Sequence, residues 1–122
     1  MIPSFLETHH FEVVNTEMSW SDARTYCKNL NGDLASFSSA EEVEKVSFSI
    51  PVWYWVGLNK EVGETWAWSD GSSVTWMNWG LGQPNKASSC ALLKRGLVFD
   101  RKLYDWPCDE PVPFICKTSG MY

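Results

Sequence analysis

Between residues 19 and 32, in "SWSDARTYCKNLNG", apolar side chains return every three or four positions: Trp20, Ala23, Tyr26, Cys27 and Leu30. That spacing lines them along one stripe of a helix and puts Cys27 on its buried face. Ser19 followed by Asp22 supplies a capping signal, and Asn31-Gly32 supplies a stop, with the glycine free to take left-handed geometry. A second helix is predicted in "SSAEEVEKVSF", capped by Ser38 with Glu41 or by Ser39 with Glu42. Glu41 and Glu42 crowd its first turn, where the helix dipole favours them. Ahead of both helices, Phe11 and Val13 alternate as in a short strand.

Beyond Pro51 the period changes. "WYWVGL" is a continuous aromatic and β-branched run, read as a buried strand, and "NKEVGE" turns the chain. "TWAWSDGSSVTWMNW" predicts two short strands around Ser69-Asp70-Gly71, with Trp66, Trp68 and Trp76 building core. Gly80 to Ser89 has no periodicity and reads as a long loop, the kind of segment where function concentrates. "CALLKRG" and "PFICK" read as further strands with "DWPCDEP" as the loop between, and Lys94-Arg95-Gly96 as a turn whose charges are solvated. Alternation along "KLYDW" places Tyr104 and Trp106 on one face, as an exposed aromatic pair, and Leu103 and Asp105 on the other. No linker or repeat divides the chain, so residues 1–122 are read as one domain.

Composition narrows the class. The chain is 44% hydrophobic, 15% aromatic and carries a formal charge of −5, which argues for a packed globule and against nucleic acid or an anionic membrane as partner. No apolar run approaches the roughly 20 residues that cross a bilayer. "MIPSFLETHHFEVV" lacks the basic end, apolar stretch and small-residue cleavage site of a signal peptide. Either a leader has been removed or the chain stays inside the cell, and the cysteines favour the first. There are four, Cys27, Cys90, Cys108 and Cys116, with no CxxC spacing. Two disulfides in a secreted or cell-surface domain are expected, with three connectivities open. GxSxG and HExxH are both missing, so serine and zinc catalysis lack their parts and no enzyme is expected. His9-His10 has no partner motif and reads as solvent-facing.

Taken in order, "SWSDARTYC", "GDLASFSSAEE", "YWVGL", "WAWSDGS", "NWGLGQPN" and "C…DWPC…FICK" resemble the C-type lectin-like domain over about residues 11–117. The resemblance implies an α+β fold, two helices packed on two small antiparallel sheets with a long loop. It also implies the pairs Cys27–Cys116 and Cys90–Cys108, the short form of the family. Trp79, part of a family core motif, is expected to be buried.

In sugar-binding members, five side chains hold a calcium ion that the sugar hydroxyls also ligate. The resemblance places those positions at Gln83, Asn85, Ser88, Tyr104 and Asp105, and implies a cis bond before Pro84. Calcium takes about six to eight oxygens, several of them anionic. Here Ser88 stands where the family has glutamate and Tyr104 where it has asparagine, leaving Asp105 as the one carboxylate, while Lys86 adds a repelling charge. A neutral phenol is a poor ligand for a hard cation. Asp100, Asp109 and Glu110 are the carboxylates nearby in sequence. "QPN" also matches neither the family's mannose-type Glu-Pro-Asn nor its galactose-type Gln-Pro-Asp.

Gln83, Asn85 and Asp105 therefore read as a remnant calcium set, with no cofactor expected. The ligand-binding candidates are Gln83, Asn85, Lys86, Tyr104, Asp105 and Trp106, because Tyr and Trp dominate binding hot spots and also stack on sugars. The expected function is extracellular recognition of a protein or glycan through the long loop, without calcium. The alternatives are a calcium-dependent lectin and an assembly domain of a larger receptor or oligomer.

Overall fold

The computed structural model describes residues 9–61, 63–95 and 101–119. Strand β1 (His9–Met18) leads into helix α1 (Trp20–Lys28), short strand β2 (Gly32–Leu34) and the single-turn helix α2 (Ala40–Val43). Strands β3 (Trp53–Asn59), β4 (Ala67–Trp68), β5 (Cys90–Arg95), β6 (Arg101–Trp106) and β7 (Val112–Ser119) complete the order.

Both helices begin where the capping signals lie. The Ser19 hydroxyl accepts the Asp22 N–H, and the Ser39 hydroxyl accepts the Glu42 N–H, each satisfying a donor the first turn leaves open. Glu42 Oε1 in turn accepts the backbone N–H and hydroxyl of Ser38. The second helix takes up only Ala40–Val43 of the stretch predicted for it, and the chain beyond it buries Val46 in the core. At the end of α1 the left-handed residue is Asn31, with φ 62°, and not Gly32. Glycine is required at 32 for another reason: a Cβ there would lie 2.4 Å from the Lys117 carbonyl oxygen, so β2 could not reach β7.

The sheet has two antiparallel halves. β7 pairs with β1 along one edge and with β2 along the other, while β3 pairs with β4 and β5, and β5 with β6. One parallel pair, Trp55 with Phe114, joins the halves into a seven-stranded network. Residues of β3 are buried on both faces, which explains its continuous apolar run. Tyr54, Val56 and Leu58 enter one cluster with Phe37, Trp68, Leu93 and Leu103. Trp55 enters the other with Trp20, Cys27, Leu92 and Phe114, under α1.

Disulfides close both halves. Cys27–Cys116 ties α1 to β7 across 89 positions and Cys90–Cys108 spans 18, worth roughly 4 to 5 and about 3 kcal/mol in the chain-entropy account.

Two expectations need correction. The strand predicted after Asp70 does not form: β4 turns at Ser69–Asp70, and residues 71–78 run without a ladder. The chain there is held instead by its neighbours, with Trp76 packed on the core and the Asn78 amide donating to the Arg101 carbonyl at 3.0 Å. Lys94 and Arg95 are not turn residues. They are the last rungs of β5, paired with Lys102 and Arg101. Gly96, the third residue of that predicted turn, lies outside the described residues.

Candidate functional site

The long loop leaves the sheet pinned at both ends. At its entry Gly80 donates to the Leu103 carbonyl at 2.9 Å, and Leu103 donates to the Asn78 carbonyl at 2.8 Å, so residues 78–80 run along the free edge of β6. A Cβ on Gly80 would lie 2.8 Å from the Tyr104 ring, so any larger residue there would have to displace that phenol. At its exit the Ser89 carbonyl accepts the Lys60 N–H at 2.8 Å. Between these points the Gln83–Pro84 bond is cis, as expected, and Gly82 and Ala87 take positive φ.

Asp105 organises the middle of the loop. It is fully buried at the end of β6, where alternation turns it inward beside Leu103. One carboxylate oxygen accepts the Asn85 N–H at 2.9 Å. The other accepts those of Lys86 at 2.9 Å and Ser88 at 3.1 Å. Burial pushes its pKa up, but the three N–H groups and the Lys86 ammonium more than offset that and hold it below the usual carboxylate value. The anion thus takes its partners from the loop backbone.

The other remnant positions are spread among different tasks. Asn85 Oδ1 lies 3.2 Å from the Lys86 ammonium, and the Ser88 hydroxyl reaches back toward the Lys86 carbonyl at 3.5 Å. Tyr104 packs half-buried against the second cluster. Gln83 Oε1 is buried without a hydrogen-bond partner. Asp109 and Glu110 are exposed in the turn before β7, and Asp100 lies outside the described residues. This donor set does not fit a calcium ion. Its one carboxylate already accepts three backbone N–H groups, and an ammonium stands at one of its two amide oxygens. Among the described residues, the metal-type donor cluster Glu61, Cys90 and Cys108 contains the two sulfurs of a disulfide. His10 is exposed in β1.

Beside the loop runs an aromatic surface, richer than "KLYDW" suggested. Tyr104 and Trp106 share a face, but both are half-buried and not the exposed pair expected, because other rings and lysines lie against them. Trp53 packs 5.5 Å from Trp106, centroid to centroid. The Lys86 ammonium sits 5.3 Å from the Trp106 ring, and that of Lys94 sits 5.1 Å from Trp53 and 5.6 Å from Tyr104. A groove of about 290 Å³ opens along Trp53, Leu92, Trp106 and Val112, with Glu17 and Glu110 at its rim. Trp53 and Lys94 were absent from the candidate set, although the pairing of β3 with β5 sets them opposite each other. Trp79, expected to be buried, is half-buried and packs edge-on against Trp66 at 5.0 Å.

Two helices on a disulfide-closed sheet, holding out a long loop gripped by one buried aspartate, define a loop-presenting domain of the C-type lectin kind. The Lectin C-type domain family matches residues 16–118, and the chain belongs to that family. Human lithostathine-1-alpha is 33% identical over 112 residues, covering 84% of this chain and 67% of that protein. Rat L-selectin is 34% identical over 89 residues, 67% of this chain, which spans only 23% of that relative's length. Among solved structures, a calcium-independent type II antifreeze protein superposes with a TM-score of 0.78 at 24% identity, over 98% of this chain and 95% of that one. At that identity the last likeness speaks for the fold alone.

Proposed function

We propose that this domain is an extracellular recognition module, not an enzyme, that binds a glycan or protein through its long loop and the adjoining face of β6 without calcium. The observation that carries this reading is the Asp105 carboxylate, shared among the N–H groups of Asn85, Lys86 and Ser88. A buried anion with three such donors is committed to the loop backbone, and turning it to a metal would strand those donors. The two disulfides and the kinship with lithostathine and L-selectin support an oxidising, extracellular setting. No described helix is long and apolar enough to cross a membrane.

One observation favours the calcium-dependent alternative. Gln83 Oε1 is a buried acceptor without a partner, and a cation is one way to satisfy it. Calorimetric titration of the oxidised domain with calcium, paired with melting in millimolar calcium and in chelator, separates the two readings. The expected result is no saturable heat and no shift in melting temperature. Saturable binding with a raised melting temperature would overturn calcium independence, since a ligand of the folded state alone stabilises it by mass action.

A further inference from the structure

In a chain of net charge −5, Lys86, Lys94 and Lys102 share the face of the sheet that carries Trp53, Tyr104 and Trp106, while Arg95 and Arg101 lie on the reverse face of the same two strands. Lys94 stands directly opposite Lys102 on that face, and Arg95 opposite Arg101 on the other, where both guanidinium groups lie over the Phe48 ring. Like charges directly across a ladder repel, so this arrangement works against the folded state. Nothing described nearby neutralises it. The ion pairs among the described residues are Arg24–Asp33 and Lys117–Glu42, both elsewhere. Lys102 reaches the neutral Asn78 amide at 3.0 Å, and Arg95 the Ile50 carbonyl at 3.3 Å and the Phe48 ring.

Lys86 and Lys94 are positioned by rings. Each ammonium lies over an aromatic face, Lys86 on Trp106 and Lys94 between Trp53 and Tyr104. A ring face orders the side chain without removing its charge or using its N–H donors as a carboxylate would. The face thus carries ordered cations beside half-exposed rings: Lys94 and Lys102 make no ion pair among the described residues, and Lys86 lies near the buried Asp105 carboxylate. Two acids of the groove flank the rings. The strand order puts Glu17 and Glu110 on the β1–β7 side of Trp53, and Lys94 on the β5 side. An anion is therefore steered toward the lysines.

We infer that this face binds a sulfated glycan, its sulfates on Lys86, Lys94 and Lys102 and the apolar faces of its sugars against Trp53, Tyr104 and Trp106. The inference rests on the recognition reading above and supplies its ligand class. A repeating polyanion matches cations repeated along neighbouring strands. An acidic peptide fits less well, because the edge of β6 that strand addition would need is occupied by residues 78–80.

The test is titration of the oxidised domain with a heparin octasaccharide, and with its fully desulfated form, in chelator at low and physiological salt. Binding is expected for the sulfated probe alone, weakening as salt rises. Lys86→Gln with Lys94→Gln should lower the affinity at least about tenfold, the loss of one charge-assisted contact or more. The double variant keeps both backbones, including the Lys86 N–H that Asp105 needs, and an unchanged melting temperature certifies its fold. Lys28→Gln with Lys45→Gln, on other surfaces, should leave affinity unchanged. The inference is overturned by no binding of the sulfated probe, by equal binding of the desulfated one, or by equal losses in the two double variants. A neutral glycan or an acidic protein bound in chelator through Trp106 but indifferent to Lys86 and Lys94 would also overturn it, while leaving calcium-independent recognition standing. Binding that requires calcium would overturn both.

Discussion

The indole N–H of Trp20 donates to the backbone carbonyl of Val56 at 2.8 Å, joining the first residue of α1 to the middle of β3. Val56 lies where the register between β3 and β5 shifts, between Trp55 and Asn59, so its carbonyl stands at an irregularity of the ladder. The helix thus supplies a donor at a break in the sheet, and both partners are buried.

Trp20→Phe keeps an aromatic ring and removes that donor. A buried acceptor left without its partner costs about 1–3 kcal/mol, and the smaller ring adds to the loss. Urea unfolding should show a lower midpoint with an unchanged slope. An unchanged midpoint would mean that another donor had moved in.

Asp105→Asn tests how the long loop is held. The amide presents one oxygen and one NH₂ group where three N–H donors converge, so at least one donor meets another donor. The expected loss is about 1.5–3 kcal/mol, the range for hydrogen bonds to a charged group. Amide exchange locates the effect: the N–H groups of Asn85, Lys86 and Ser88 should exchange faster, while those between β1 and β7 keep their protection.

Acid should destabilise the domain in a narrow window. Glu42, Asp70 and Asp105 are each pushed up by burial and pulled further down by hydrogen bonds, from Ser38, from Ser36 and Ser72, and from the loop backbone respectively. Their folded values lie below the ordinary 4.5 for Glu42 and 3.8 for the two aspartates. The unfolded chain therefore takes up protons first. Stability from these groups is complete above the unfolded values and is lost as pH falls through the folded ones. Melting temperature should be level from pH 7 to about 5 and fall below about 4, with Asp105→Asn showing a shallower fall.

Much of the frame was legible because local rules decide it. Helix starts at Ser19 and Ser39, the buried run of β3 and the inward turn of Asp105 each follow from a cap or a periodicity that short stretches of sequence display. What escaped was set by distant partners. Gly32 is glycine because of the Lys117 carbonyl, far along the chain. Residues 71–78 alternate like a strand, yet no neighbouring strand completes the ladder. At the site, sequence showed which ligand positions had lost their charge, but not that Asp105 had been turned to the loop backbone. Lys94 was set aside as a solvated turn charge, because its place beside Trp53 depends on the register of β3 with β5.

The grip of Asp105 on the loop has a consequence for variation. It holds backbone N–H groups, which every residue but proline carries, so the side chains at 85, 86 and 88 are not what fixes the loop's path. Those positions can be diversified for new binding specificities while the frame persists, with proline the one residue to leave out of any such library.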